Sequence, residues 1–252
     1  MKKIQTILIS QPKPETEKSP YFDLAKKFGI RFDFCAFVHV EGVSAKEFRK
    51  QKIEISKYSA IIFTSRNAVD HFFRVCEEMK IKISQDCKYF CITETVALYL
   101  QKFILYRKRK VFFGADGTTK SLLEVLAKHQ ENEKFLLPSS DSHKTEIQSY
   151  LKNNKCEFAI ATLYKTLCND IREELAAKKY DLIVFFSTSG VRSLFENFPG
   201  FEQNGTRIGA FGPTTFKAVE EAGLRLDVMA PTSQAPSMAA ALERFLIENH
   251  KK

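Results

Sequence analysis

The chain has 252 residues, 44% of them hydrophobic, which suffices for two domains of ordinary size with real cores and argues against wholesale disorder. No apolar run approaches about 18 residues, so no membrane span and no membrane partner is expected. The net charge of +9 favours an anionic partner, whether nucleic acid, anionic lipid or a small molecule rich in carboxylates or phosphates.

The first segment, "MKKIQTILISQPKPE", lacks a long apolar core and a small-residue cleavage site. Ile4 to Ser10 therefore reads as a strand rather than a signal peptide, and a cytoplasmic protein is expected. "YFDLAKKFGI" follows with a helical pattern and ends at Gly29, a good helix C-cap. "AIIFT" is strand-like, and after it Val69, Phe72, Phe73 and Cys76 fall on one helix face. "KYFCIT" leads into "TETVALYLQK", "VFFG" into "SLLEVLAKH", and "KFLLP" into "TEIQSYLKNN". "LIVFF" precedes Val191, Leu194, Phe195 and Phe198, again one helix face. "RIGAFG" leads into "TTFKAVEEAG", and "LDVMA" into "SMAAALERFLIEN". Strand-then-helix alternation of this kind predicts an α/β fold, with parallel sheets flanked by helices. The strands are continuous apolar runs because both of their faces are covered.

The pattern occurs twice. "YSAIIFTSRNAV" and "YDLIVFFSTSGV" have the same build, and each is followed by a strand and a threonine-bearing loop. Two similar α/β domains are expected, a duplication rather than a solenoid. "DFCAFVHV" and "EFAIATLY" do not fit the alternation. They read as sheet strands that run on and could cross from one domain to the other.

Small hydroxyl residues crowd the carboxyl ends of these strands: Thr64 and Ser65 with Asn67, Thr93 and Thr95, Ser139 to Ser142, Ser187 and Ser189, and Gly212-Pro213-Thr214-Thr215. In open α/β sheets, ligands bind there, against helix N-termini whose free N–H groups favour anions. Ser and Thr are also favoured N-caps, so any one loop has a purely structural reading. Their recurrence in both halves points to a cleft whose donors are hydroxyls and amides. The five histidines are scattered, and no GxSxG, HExxH, Walker A or GxGxxG is present. "GADGTTK" lacks the GK[ST] ending of a phosphate loop. The six cysteines show neither CxxC spacing nor a nearby His pattern, so they read as reduced and buried, with no metal. The basic run "YRKRK" reads as a solvated loop, and without an aromatic-interleaved basic stripe no nucleic-acid partner is expected.

"IIFTSRNAV", "FFSTSGV", "GPTTFKAVEEAG" and "LYKT" together resemble the uroporphyrinogen-III synthase family over nearly the whole chain. The resemblance implies two α/β domains joined by two extended antiparallel strands. Domain 1 would comprise residues 1–36 and 166–252, domain 2 residues 41–160, and the linkers residues 33–40 and 157–166. It implies an enzyme, a lyase, that closes the linear tetrapyrrole hydroxymethylbilane to uroporphyrinogen III with inversion of ring D and loss of water, without a cofactor, as a monomer. The polycarboxylate substrate would match the positive charge. By the same resemblance Tyr164 in "LYKT" assists departure of the hydroxyl, while Thr64, Ser65, Asn67, Thr95, Ser187, Ser189, Gly212, Pro213, Thr214 and Thr215 bind substrate. The chain departs from the family at Ser10-Gln11, where Thr-Arg is common, and at Ile92, where a glycine is common. A non-catalytic two-domain binding protein for a small polyanion is the rival expectation.

Overall fold

The computed structural model describes residues 3–141, 145–176 and 178–250. The elements begin with β1 (Thr6–Ile9), α1 (Pro20–Phe28), β2 (Arg31–Phe34), β3 (Val38–Gly42), α2 (Ala45–Arg49), β4 (Ala60–Phe63) and α3 (Arg66–Glu78). They continue with β5 (Lys88–Cys91), α4 (Glu94–Tyr99), β6 (Val111–Phe113), α5 (Thr119–Ala127), β7 (Lys134–Ser140), α6 (Thr145–Asn153) and β8 (Glu157–Cys168). The last are α7 (Arg172–Ala176), β9 (Leu182–Phe185), α8 (Thr188–Asn197), β10 (Arg207–Phe211), α9 (Pro213–Glu221), β11 (Val228–Ala230) and α10 (Met238–His250). The chain divides into two compact units, Met1–His39 with Leu167–Lys252, and Val40–Thr166.

The first unit is built on a five-stranded sheet of order β11-β10-β9-β1-β2, parallel throughout. Its central strands send alternate side chains to two cores, as the two-residue period of a strand requires. Ile7, Ile9, Leu182 and Val184 join Leu242 and Leu246 of α10 on one face. Leu8, Ile183 and Phe185 join Val191 and Leu194 of α8 on the other.

The second unit has a six-stranded sheet of order β3-β8-β7-β4-β5-β6, parallel from β8 to β6. Here Ile61 and Phe63 face Val69, Phe72 and Cys76 of α3, and Ala60 and Ile62 face Leu122 and Leu126 of α5 and Ile147 and Leu151 of α6. All four residues of β4 and of β9 are buried.

Both segments that broke the alternation are sheet strands for much of their length. Residues 33–40 are interrupted: β2 ends at Phe34, Cys35 and Phe37 turn into the first unit's core at 5% and 0% exposure, and β3 begins at Val38. Residues 157–162 pair in register with β7, from Lys134↔Glu157 to Ser139↔Thr162, and so belong to the second sheet. Pairing wins because an unpaired backbone in the interior is costly, whereas β7 offers a full ladder.

Phe72 is fully buried and packs edge-on against Phe63, with ring centroids 5.5 Å apart. Phe72→Ala is expected to destabilise the second unit by about 3–5 kcal/mol, read from urea denaturation.

Cys35, Cys76, Cys87 and Cys91 are buried, and burial pushes each thiol up to about 12; at Cys35 a hydrogen bond to Glu174 adds to it. Because the thiolate is the reactive form, native protein at about pH 8 is expected to react with a disulfide reagent first at Cys156 and Cys168, which are only partly buried. The other four should react only after denaturation, a distinction that mass mapping of the labelled sites resolves.

Candidate functional site

Each sheet has a point where the chain reverses its direction of travel across the strands. In the first unit it lies between β1 and β9, and in the second between β4 and β7. At such points the loops leaving neighbouring strands diverge and open a crevice at the carboxyl ends.

In the second unit that crevice is a cavity of about 630 Å³. Thr64 enters it from the end of β4, Thr93 from the end of β5, Thr118 from the loop after β6, Ser139 and Ser140 from β7, and Tyr164 from β8. Neither Lys nor Arg is among its described lining residues, so what it offers an anion is hydroxyls and helix N-termini. Those helix starts are well formed. Ser65 Oγ accepts from Ala68 N–H (3.1 Å), Thr93 Oγ1 from Val96 N–H (3.2 Å) and Thr118 Oγ1 from Ser121 N–H (3.2 Å). Asp116 Oδ1 accepts from both the amide and the hydroxyl of Thr118, while Gly117 takes φ +76°, a left-handed conformation that suits glycine.

Tyr164 reaches this cavity through an irregularity in β8. Ser139 pairs with Thr162 but Ser140 pairs with Tyr164, so Leu163 is an extra residue, a bulge. Without it, Leu163 and Tyr164 would point to opposite faces. With it, both contribute to the same core cluster, and Tyr164 is 8% exposed. Gln51 fixes the strand just before the bulge, donating from Nε2 to the Thr162 carbonyl (2.7 Å) and accepting from its N–H (3.0 Å). Just after it, Asp141 N–H donates to the Tyr164 carbonyl (3.2 Å). The phenol oxygen lies 3.4 Å from Ser65 Oγ, and the ring stacks on the imidazole of His71 with centroids 5.0 Å apart.

In the first unit, Ser187 caps α8 by accepting from Gly190 N–H (3.1 Å). Gly212 opens α9 at φ +89°, and Pro213 occupies its first turn. Ser10, at the end of β1, is 7% exposed, and its Oγ has no hydrogen-bond partner among the described residues. A β-carbon on Gly190 would lie 3.5 Å from Ser187 Oγ and 3.6 Å from Ser10 Oγ, so both hydroxyls gather at the first turn of α8.

Of the residues singled out in the sequence, Thr64 and Tyr164 line the cavity and Ser65 touches Tyr164. Asn67 and Thr95 are exposed on the first turns of α3 and α4, outside the cavity lining. Ser187 and Ser189 are partly buried at the start of α8. Pro213 and Thr214 are exposed, Gly212 is partly buried, and Thr215 has 1% of its surface exposed, with its N–H donated to the Gly212 carbonyl. The Thr215 side chain is thus buried while its neighbour Thr214 is exposed. Ser142 and His143 lie outside the described residues. The reading of "GADGTTK" missed Thr118 and Thr119, which line the cavity; the signal was present, since the segment repeats the rule of a hydroxyl after a strand. Nothing in the sequence singled out His71. Among the described residues, no helix is long and apolar enough to cross a membrane, and no group of three His, Cys, Asp or Glu is placed to hold a metal.

A family model described as Uroporphyrinogen-III synthase HemD matches residues 19–240. The uroporphyrinogen-III synthase of Chlorobaculum parvum is 21% identical over 255 residues, covering 96% of this chain and 100% of that protein. Two solved structures, a mutant uroporphyrinogen III synthase of Thermus thermophilus and the uroporphyrinogen-III synthetase of Helicobacter pylori, each align with a TM-score of 0.63 at 18% identity. They cover 98% and 97% of this chain and 100% of their own, and at that identity the likeness is one of fold.

The capping hydroxyls are expected to matter for stability whatever they bind. Ser65→Ala and Ser187→Ala should each cost about 1 kcal/mol, seen as a lower urea midpoint for the unit concerned, whereas Thr214→Ala, on an exposed non-cap residue, should cost under about 0.5 kcal/mol.

Proposed function

We propose, from the premise that this chain belongs to the uroporphyrinogen-III synthase family, that it is an enzyme, a lyase that closes hydroxymethylbilane to uroporphyrinogen III with inversion of ring D and loss of water. The observation that carries the reading is the phenol of Tyr164 at the wall of a cavity ringed by neutral donors. Loss of the hydroxyl requires a proton to reach the departing oxygen so that it leaves as water. Tyr164 O–H is the donor in this scheme, and Ser65 Oγ, 3.4 Å away, orients it.

The harder task is to hold a flexible linear tetrapyrrole so that the less accessible ring carbon is attacked. That is a matter of position more than of acid or base strength. Thr64, Thr93, Thr118, Ser139 and Ser140 supply hydroxyls to substrate carboxylates in the second unit. Asn67 and Thr95 extend that set along the exposed first turns. In the first unit the same role falls to Ser187, Ser189, Gly212, Pro213 and Thr214, with the unpartnered Ser10 Oγ as a further donor. A neutral donor array suits carboxylates because each N–H or O–H is fixed before the ligand arrives.

Supplied with hydroxymethylbilane in a coupled assay that separates the III and I isomers, the protein is expected to yield the III isomer. Tyr164→Phe is expected to lower that turnover by about 10²-fold or more while leaving the thermal midpoint unchanged. Formation of the I isomer alone, with tight product binding, would instead favour the polyanion-binding protein.

A further inference from the structure

His71 sits on the second turn of α3, after the Ser65 cap. Its ring lies nearly parallel to that of Tyr164, at 20° and 5.0 Å between centroids. The imidazole is itself held. Arg74 Nε donates to His71 Nδ1 at 3.4 Å, which makes Nδ1 the acceptor and leaves the ring proton on Nε2. Arg74 is anchored in turn, donating from Nη2 to the Val43 carbonyl (2.7 Å) and from Nη1 to Glu78 Oε1 (2.5 Å). The chain of contacts therefore runs from the backbone after β3, through Arg74 and His71, to the face of Tyr164.

Gly42 makes room for it. A β-carbon there would stand 2.8 Å from Arg74 Nη2, so the guanidinium would have to shift, and 3.0 Å from His71 Nδ1, tighter than most real contacts. Burial and the neighbouring Arg74 cation both hold the His71 pKa below its usual value, so at neutral pH the ring is uncharged and stacks without having to bury a charge.

The geometry points to His71 as a positioning residue for Tyr164: together with Arg74, in the space left by Gly42, it clamps the phenol ring so that the hydroxyl stays beside Ser65 and the cavity. This rests on the reading of Tyr164 as the proton donor. The bulge at Leu163 explains why the clamp is needed. A bulge points a side chain to a new face but leaves the local ladder broken, so the ring's orientation falls to side-chain contacts. Ser65 holds one end of the phenol, and His71 covers its face.

The test combines steady-state kinetics with fluorine NMR of protein labelled with fluorotyrosine, the Tyr164 resonance being assigned by its loss in Tyr164→Phe. His71→Ala is expected to lower kcat by about 10-fold with KM within about two-fold, since a misplaced group costs rate rather than binding. It should also shift and broaden the Tyr164 resonance. His71→Phe, which keeps a stacking ring, is expected to restore kcat to within about three-fold of wild type and to sharpen the resonance again. Gly42→Ala, which leaves both rings in the chain but displaces the pair, should reproduce the shifted resonance of His71→Ala. An unchanged resonance and kcat in His71→Ala would overturn the clamp. So would a His71→Phe variant as slow as His71→Ala, because the imidazole would then act by its own chemistry. If the wild-type protein forms no III isomer, the proposed activity fails, and the NMR arms alone still decide whether His71 holds Tyr164.

Discussion

Strands buried on both faces leave a polar group nowhere to go but the strand ends. β4 and β9 bury all four of their residues, and an unpaired hydroxyl among them would cost about 1–3 kcal/mol. In these two strands the first hydroxyls therefore appear only after the strand stops, at Thr64 and Ser187. Since neighbouring strands are parallel, these stops gather along one edge of each sheet, and the returning helices begin there as well. One constraint thus puts the hydroxyls, the helix N-termini and the crevice in the same place. It also dissolves the choice between capping and binding. Ser65 caps α3 with a lone pair, accepting from Ala68 N–H, and still has its own O–H to donate toward Tyr164 or a ligand.

Neutral donors are a reasoned choice for a partner with many carboxylates. A lysine held inside the crevice would have to shed its water, a penalty that its attraction to a carboxylate repays only with near-ideal geometry. Hydroxyls and amides avoid that penalty and hold their direction. In the proposed function the +9 charge of the chain would act at longer range, drawing a polyanion in without fixing its pose. A second-unit cavity with no cation among its described lining residues is in keeping with such a division of labour.

In the proposed mechanism the chemistry rests on one side chain, Tyr164, whose position depends on a backbone irregularity. Leu163 disturbs the β7–β8 register by one residue, and only for that reason does Tyr164 share a face with Leu163. Gln51, reaching from the turn after α2, completes the ladder at Thr162 with both its amide donor and its acceptor. The bulge is thus braced before it by Gln51 and after it by Asp141 N–H.

The α/β class was legible in the sequence because strand and helix periodicity are local properties: "AIIF" followed by Val69, Phe72 and Cys76 spells a buried strand and one helix face in adjacent residues. The strand-end hydroxyls were legible for the same reason, since a cap lies within three residues of the amide it serves. What lay beyond reach depends on register and on packing between distant segments. Cys35 and Phe37 look like part of one extended run, yet they interrupt it, because the core formed with Phe185 and Leu194 claims both. Thr215 reads like its exposed neighbour Thr214, and only the packing of α9 buries it. His71 is an ordinary polar position on a helix until the β8 bulge brings Tyr164, 93 residues along the chain, against its ring (71 to 164). The sequence by itself determined the elements and the edge where polar groups collect, because both follow from burial over a few neighbouring residues. Tertiary structure alone decided which of those groups face one another, because a one-residue shift in strand pairing reverses a side chain and nothing local records it.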